Sequence, residues 1–110
     1  MLYALILVIL LSSLSCERRE NASFEPAKVK ELVGIKGCPY CHDMSRKLLG
    51  PSFTDISRRY SEDELDILVN SILKGSRGKW GKEGMPPQKV TKEEAELIAR
   101  WIISLKHELD

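Results

Sequence analysis

Residues 38–42 read Cys-Pro-Tyr-Cys-His, and this pentapeptide is compatible with three chemistries. A Cys-x-x-Cys pair can exchange disulfides, or it can supply two ligands of a zinc site. When a histidine follows directly, the same pair can attach a c-type haem. A disulfide exchanger needs a βαβ sheet around the motif, and a structural zinc site needs four Cys or His ligands. The rest of the sequence therefore has to distinguish between the three.

The hydrophobic pattern predicts an all-α fold, because no segment alternates apolar and polar residues as a half-buried strand does. Capping boxes at residues 61–64 and 91–94 each precede a stretch with an apolar face and therefore predict helix starts. Two further helices are predicted, over residues 26 to about 33 and over residues 42–49. The 110 residues allow one domain, so we expect three or four short helices with long connections.

The N-terminal segment is predicted to lie outside this domain. Residues 1–15 contain an apolar run that is too short to span a bilayer and that suits a secretory signal peptide, or else an uncleaved membrane anchor. Residues 16–26 are polar and are expected to form a flexible tether, which leaves residues 27–110 as the folded domain.

Cys16 needs a separate explanation, because one leftover cysteine in an exported chain is unusual. Cleavage after Ser15 would make Cys16 the first residue, which resembles the start of a bacterial lipoprotein and makes Cys16 a candidate for lipidation. The alternative is that Cys16 belongs to an ordinary leader or to the uncleaved anchor.

Two of the three chemistries fit the sequence poorly. Cys-Pro-Tyr-Cys resembles the glutaredoxin dithiol, but the strand that such a motif follows is missing. A zinc site could take Cys38, Cys41 and His42, yet its fourth ligand would have to be Cys16 or His107, and adjacent Cys41 and His42 are awkward corners of one tetrahedron. Both remain as weaker alternatives.

The haem interpretation accounts for the spacing and predicts a second iron ligand. Thiols three residues apart can add to the two vinyl groups of a porphyrin, and the next residue, His42, then lies beneath the iron. Met85 is the candidate for the opposite face, because Met1 lies in the leader and Met44 is too close to His42. A methionine followed by two prolines in a glycine-rich loop is a poor core residue and a stiffly held ligand.

Taken together, residues 38–42 and Gly84-Met85-Pro86-Pro87 resemble the class I monohaem cytochromes c of the small bacterial type. The resemblance extends over residues 27–106 and implies the small cytochrome c fold, with loops wrapped round the cofactor. It implies one haem c bound covalently through Cys38 and Cys41, with His42 and Met85 as axial ligands.

The same resemblance implies roles for residues around the ligands. The Pro51 carbonyl would accept the free N–H of the proximal histidine, and the Trp80 indole would bind a haem propionate. Gln88 would place an amide near the methionine sulfur. Leu68 and Ile72, one helical turn apart, would pack against the haem, or alternatively form ordinary helix core.

The function implied is one-electron transfer between protein redox partners outside the cytoplasm, in the periplasm, by a monomer that is not an enzyme. The net charge of +1 gives no reason to expect nucleic acid. Basic side chains near the haem-bearing segments could steer acidic partners, or could belong to a surface of mixed charge: Lys36, Arg46, Lys47, Lys79, Lys82 and Lys89. Alternatives are a haem-binding subunit or sensor domain of a larger oxidoreductase, in which Met85 leaves the iron, and a haem-free dithiol redox module.

Overall fold

The computed structural model describes residues 24–108, and the fold within them is helical, as the hydrophobic pattern predicts. The helices are α1 (Pro26–Ile35), α2 (Phe53–Arg59), α3 (Leu65–Lys74) and α4 (Lys92–Ser104). Short 3₁₀ turns occupy Cys38–Tyr40, Glu62–Glu64 and Leu105–Glu108. Within the described range there is no strand, only an isolated antiparallel bridge between Ser76 and Met85.

Helix α4 lies at the centre of the fold and contacts each of the other three helices. Its buried residues are spread round more of its surface than one face, as a helix with three neighbours requires: Ala95, Ile98, Ala99, Trp101, Ile102 and Ile103. Helix α1 presents Val29 and Val33, which are 3% and 2% exposed, so its side of the contact is aliphatic.

Both helix starts predicted from capping boxes are confirmed. Thr91 Oγ1 accepts a hydrogen bond from the Glu94 N–H at 3.1 Å, and a Glu94 carboxylate oxygen accepts from the Thr91 N–H at 2.9 Å. The box at Ser61 and Glu64 opens a 3₁₀ turn first, and α3 follows directly from it. In each case the box satisfies N–H groups that have no partner within the helix.

The helix predicted over residues 42–49 is wrong, because these residues form bends and irregular loop. The Asp43 carboxylate accepts hydrogen bonds from the backbone N–H groups of Ser45 and Arg46, at 3.2 and 3.0 Å, and so satisfies donors that a helix would need. The Asp43 and Met44 carbonyls accept instead from the first residues of α2, at 2.9 and 3.1 Å.

Helix α2 was not expected from the sequence. Ser52 is its N-cap, with Oγ accepting from the Asp55 N–H at 3.1 Å. The sequence contains one indication of this helix start, the pair Ser52 and Asp55 directly after Pro51. A helix of seven residues, however, is too short to show a clear apolar period. Helix α1, by contrast, is correctly expected and runs two residues further than predicted, to Ile35.

The N-terminal predictions fall mostly outside the described range, which excludes residues 1–15 and Cys16. The last part of the expected tether is described, and there Phe24 packs on the core beneath the Arg100 guanidinium, 4.8 Å from the ring centroid. Between residues 24 and 108, none of the helices has both the length and the hydropathy that crossing a bilayer requires.

Candidate functional site

A cavity of about 290 Å³ lies between α2, α3, α4 and the loops that precede α2 and α4. Apolar side chains from all three helices form much of its wall, among them Phe53, Leu68 and Ile98. The residues that the sequence predicts for cofactor and metal binding within the described range all line it: Cys38, Cys41, His42, Pro51, Leu68, Ile72, Trp80, Met85 and Gln88. Residues far apart in the chain are therefore brought to one site.

The cysteine turn presents both thiols to the cavity. The N–H groups of Cys41 and His42 both donate to the Cys38 carbonyl, at 3.1 and 3.0 Å, and this tight turn leaves the intervening Tyr40 87% exposed. The thiols form no disulfide with each other.

The surroundings of the Cys38 thiol raise its pKa, which is opposite to the shift found in disulfide exchangers. Burial raises its pKa, a backbone hydrogen bond offsets part of that rise, and repulsion from Cys41 adds to it. An attacking cysteine in a dithiol enzyme has a lowered pKa instead, because the thiolate is the nucleophile. This direction is unfavourable for the dithiol alternative.

His42 is fixed in position and in tautomer. Its Nδ1 lies 2.7 Å from the Pro51 carbonyl oxygen, and because a carbonyl can only accept, Nδ1 carries the hydrogen and donates it. Nε2 of the neutral ring then keeps its lone pair for a metal. On another side the ring contacts Phe53, with centroids 5.4 Å apart.

Gly50 leaves the space that the His42 ring occupies. A Cβ atom at position 50 would lie 2.5 Å from His42 Cε1 and 2.9 Å from Nδ1, closer than non-bonded atoms approach. The sequence showed Gly50 only as part of a Gly-Pro helix stop, and nothing in the residue type signals contact with a ring.

Met85 is held by backbone hydrogen bonds to the segment that leaves α3. Its N–H donates to the Ser76 carbonyl at 2.8 Å, and its carbonyl accepts from the Ser76 N–H at 3.0 Å. Gly75, with φ of 81°, passes so close that a Cβ there would lie 2.5 Å from the Met85 carbonyl oxygen. The two prolines suggested a stiff loop, but the bridge to Ser76 was not visible in the sequence.

Gln88 and Trp80 complete the predicted set. The Gln88 N–H donates to the Ile72 carbonyl at 2.9 Å, and its side-chain amide donates to the Pro86 carbonyl at 2.8 Å. That its amide bonds near the Met85 sulfur therefore stays a prediction. Trp80 is half-buried in the wall, with its ring edge-on to Tyr60 at 6.5 Å between centroids.

The residues lining the cavity fit an iron porphyrin. The His42 nitrogen and the Met85 thioether are the two donors such an iron takes in electron carriers, and the paired thiols can each bond a vinyl group. Leu68 and Ile72, only 7% and 8% exposed, belong to both the cavity wall and the core. That they pack against the haem stays a prediction.

The zinc alternative finds no support in the part of the chain that is described. No three Cys, His, Asp or Glu side chains are grouped there as a metal site requires. His107, one of the two candidates for a fourth ligand, is exposed on the terminal 3₁₀ turn and does not line the cavity.

The sequence of this chain matches one protein family and several of its members. A family model described as cytochrome c matches residues 26–106, a range that includes every residue lining the cavity. The chain is 43% identical over 79 residues to cytochrome c-552 of Hydrogenobacter thermophilus, which covers 70% of this chain and 81% of that protein. It is also 43% identical over 79 residues to cytochrome c-551 of Pseudomonas denitrificans, covering 70% and 96%.

A solved structure extends the likeness to the fold. Wild-type cytochrome c552 of Nitrosomonas europaea superposes with a TM-score of 0.66 at 34% identity, covering 69% of this chain and 98% of that one. The helical fold of this chain therefore has a counterpart in an experimental structure.

Proposed function

Because this chain belongs to the cytochrome c family, we propose that it carries single electrons in the periplasm on an iron held between His42 and Met85. As a small class I bacterial cytochrome c it binds one haem covalently through Cys38 and Cys41, and it is an electron-transfer protein rather than an enzyme. When bound, the haem supplies a one-electron Fe(III)/Fe(II) couple. The observation that carries the axial assignment is the cavity, where His42 and Met85 line the same space as the two thiols.

His42 acts as the proximal ligand and Pro51 as the group that orients it. The 2.7 Å contact from Nδ1 to the Pro51 carbonyl holds the ring plane and makes Nε2 a stronger donor. Gly50 keeps the ring from being pushed aside. A ligand held in this way reorganises little when the iron changes charge.

Met85 and the apolar wall both favour the reduced state. A thioether is a soft ligand that stabilises Fe(II) and raises the reduction potential. The buried side chains of Leu68 and Ile72 exclude water from the same space, which disfavours the extra positive charge of Fe(III).

The protein exchanges electrons where the cysteine turn reaches the surface. Apolar side chains are exposed at and beside this turn, with Ile35 at 72%, Tyr40 at 87% and Leu49 at 62%, and Leu49 also lines the cavity. A partner that covers them would come within a short distance of the cofactor edge. We expect the working form to be a monomer that meets such partners transiently.

Two of the six basic side chains predicted near the haem have their charge offset by an ion pair. Lys36 pairs with Glu94 at 3.4 Å, and Arg46 pairs with Asp43 at 3.5 Å. Within the described residues, no carboxylate lies within 4 Å of the remaining members, Lys47, Lys79, Lys82 and Lys89. Of the six basic side chains predicted near the haem, these four are therefore the ones whose charge no ion pair offsets within residues 24–108.

Export and tethering belong to the same proposal. Residues 1–15 direct the chain out of the cytoplasm or anchor it, residues 16–26 form the tether, and residues 27–110 form the haem domain; the tether joins this domain where Phe24 packs on the core and Pro26 begins α1. The intact mass of the mature protein separates the outcomes, because cleavage, lipidation of Cys16 and retention of the whole leader each give a different mass.

Carbon monoxide tests whether Met85 closes the second axial position. In the reduced protein we expect no spectral change under carbon monoxide, because both axial positions are filled. Met85→Ala should bind the gas, whereas Met44→Ala should not, since Met44 does not line the cavity. Rapid binding by the unaltered protein would favour the sensor or enzyme alternative, in which Met85 leaves the iron.

A further inference from the structure

Arg59, the last residue of α2, makes an unusual set of contacts for an exposed side chain. Its guanidinium carbon lies 4.4 Å from the centroid of the Trp80 ring and 5.6 Å from that of Tyr60. Its Nη1 donates to the Lys79 carbonyl at 2.6 Å. A planar guanidinium can stack on a ring and donate in its own plane at the same time, which an ammonium cannot do.

The neighbouring arginine shows that these contacts are specific. Arg58 extends from the same turn of α2 and pairs with Asp55 at 3.7 Å. For Arg59, no carboxylate lies within 4 Å among residues 24–108. Within the described residues, the contacts of its guanidinium are therefore with two aromatic rings and a carbonyl.

The loop that Arg59 contacts has few other restraints. Between Ser76 and Met85, which pair with each other, residues 77–84 make no backbone-to-backbone hydrogen bond with any part of the chain from residue 24 to residue 108. Gly78 and Gly81 flank Trp80 with φ of 82° and 109°, conformations that glycine adopts easily. The other polar restraint is Lys79 Nζ, which donates to Ser71 Oγ at 3.1 Å.

We propose that Arg59 is a positioning residue, which clamps residues 77–84 and holds Trp80 in the cavity wall. The inference rests on the proposed function, because the wall matters as the boundary between the cofactor and water. With Arg59 in place the indole shields that side of the cavity. Without it the loop opens more often and water enters.

Hydrogen exchange of the indole N–H groups in the reduced holoprotein tests the clamp. The two tryptophans give two indole signals, and Trp80→Phe assigns them. In Arg59→Met we expect the Trp80 signal to exchange about tenfold faster, because a stack and a charge-assisted hydrogen bond are lost. The buried Trp101 indole, in a residue 4% exposed, reports unfolding of the whole core and should exchange more slowly than the Trp80 indole in both proteins.

Two further variants separate the stack from the charge. Arg58→Met removes the same charge one residue away and should leave both indoles unchanged. Arg59→Lys keeps the charge but lacks the planar group, so it should exchange as Arg59→Met does; it also provides the comparison if Arg59→Met does not accumulate. The reduction potential should fall more in Arg59→Met than in Arg58→Met, because only the former admits water.

Three results would overturn the inference: unchanged exchange at Trp80 in Arg59→Met, equal exchange rates at Trp80 and Trp101 in both proteins, or wild-type exchange in Arg59→Lys. The second would mean that the loop opens only when the core unfolds, and the third would make the charge of Arg59 sufficient. The exchange rate of the Trp80 indole reports how often the loop opens, whichever residue ligates the iron. A result against the Arg59 clamp is therefore distinct from a result against the proposed function, which would be uptake of carbon monoxide by the unaltered protein.

Discussion

The His42 ring lies between a carbonyl that fixes its proton and a glycine that leaves it room. Nδ1 has one acceptor, the Pro51 oxygen, so the ring cannot present its other tautomer without losing a short hydrogen bond. On the Gly50 side even one methyl group would meet the ring. The donor atom offered to a metal is thus set by neighbours that do not touch the metal themselves.

Replacing Gly50 by alanine should displace His42. A Cβ atom 2.5 Å from Cε1 overpacks the site, so we expect the free energy of unfolding to fall by about 1–3 kcal/mol. Denaturant unfolding of the holoprotein measures the change. Gly34→Ala is the control, since Gly34 lies within α1 and nothing approaches its Cβ position within 4 Å; it should be neutral or slightly stabilising. Equal losses in both variants would argue against the contact with the ring.

What the sequence reveals at this scale depends on residue type. Cys38, His42 and Met85 can be predicted because their chemistry is specific and their spacing is suggestive. The packing of Gly50 and the stacking of Arg59 depend on distances between segments that are set only after folding, so no local pattern contains them.

At the scale of elements, the loop from α3 to α4 is held at its base by a short bridge. Ser76 and Met85 exchange two backbone hydrogen bonds, and Gly75 lets the two segments approach closely. Gly75 directly follows α3, and Ser76 comes next. The position of Met85 is therefore tied to the end of that helix.

Gly75→Ala should therefore weaken the hold on Met85. Gly75 and Gly78 have nearly the same φ, 81° and 82°, so alanine costs backbone strain at both, but only at Gly75 does the new Cβ meet another atom within 4 Å. We expect Gly75→Ala to lose about 1–3 kcal/mol more unfolding free energy than Gly78→Ala, as measured by denaturant titration. Indistinguishable losses would mean that the approach to Met85 has no energetic consequence.

A second link between elements joins the end of α1 to the start of α4. Glu94 accepts from the Thr91 N–H and pairs with Lys36, and these contacts lower the pKa of its carboxyl, the backbone bond more than the lysine. Because the folded pKa lies below the unfolded one, the contribution to stability is present at neutral pH. It disappears as the pH falls through the folded pKa.

Glu94→Gln should make the stability of the protein fall less steeply as the solution is acidified. Below the ordinary glutamate pKa of about 4.3 the wild type loses this contribution, so the gap between the two proteins should be widest near neutral pH and close as the solution is acidified. Thermal unfolding between pH 7 and pH 3, roughly the range over which carboxylates titrate, measures the gap. Glu93→Gln removes a charge from the same turn but not from the ion pair, and it should show no such convergence. A gap that stays constant with pH would contradict the account.

Helices could be predicted from the sequence where a capping box marks their first residue. They could not be predicted where contacts between distant segments determine the backbone conformation. The boxes at Ser61 and Thr91 marked their helices correctly. Residues 42–49 carry a helix-like composition, but their carbonyls serve the start of α2 and the Asp43 side chain captures the local N–H groups. Helix α2 is short and depends on that same contact, so the two errors have one cause.

Across the whole molecule, one helical core also forms the wall of the cavity. Ile98 and Ile102 of α4 are both core residues and lining residues, so the space for the cofactor is an extension of the core. The all-α class follows from the hydrophobic pattern, and the expectation of a single domain follows from the length of 110 residues. The shape of the cavity does not follow from either, because it depends on how α2, α3 and α4 meet the loops beside them.

The charge around the cavity should influence the rate of electron exchange. Lys79 lines the cavity, whereas Lys30 on α1 does not. With hexacyanoferrate(III), an anionic oxidant, we expect Lys79→Gln to lower the second-order rate constant about two- to threefold at low ionic strength, and Lys30→Gln to lower it less. Stopped-flow oxidation of the reduced protein gives both constants. Equal effects would show that only net charge matters.

The axial pair, His42 with Met85, is the central claim, and the far-red absorption of the oxidised protein tests it most directly. Sulfur bonded to Fe(III) gives a weak charge-transfer band at that end of the spectrum. The account predicts this band in the unaltered protein, its retention in Met44→Ala, and its loss in Met85→Ala while the haem stays attached to the chain. A missing band in the unaltered protein, or an unchanged band in Met85→Ala, would contradict the claim.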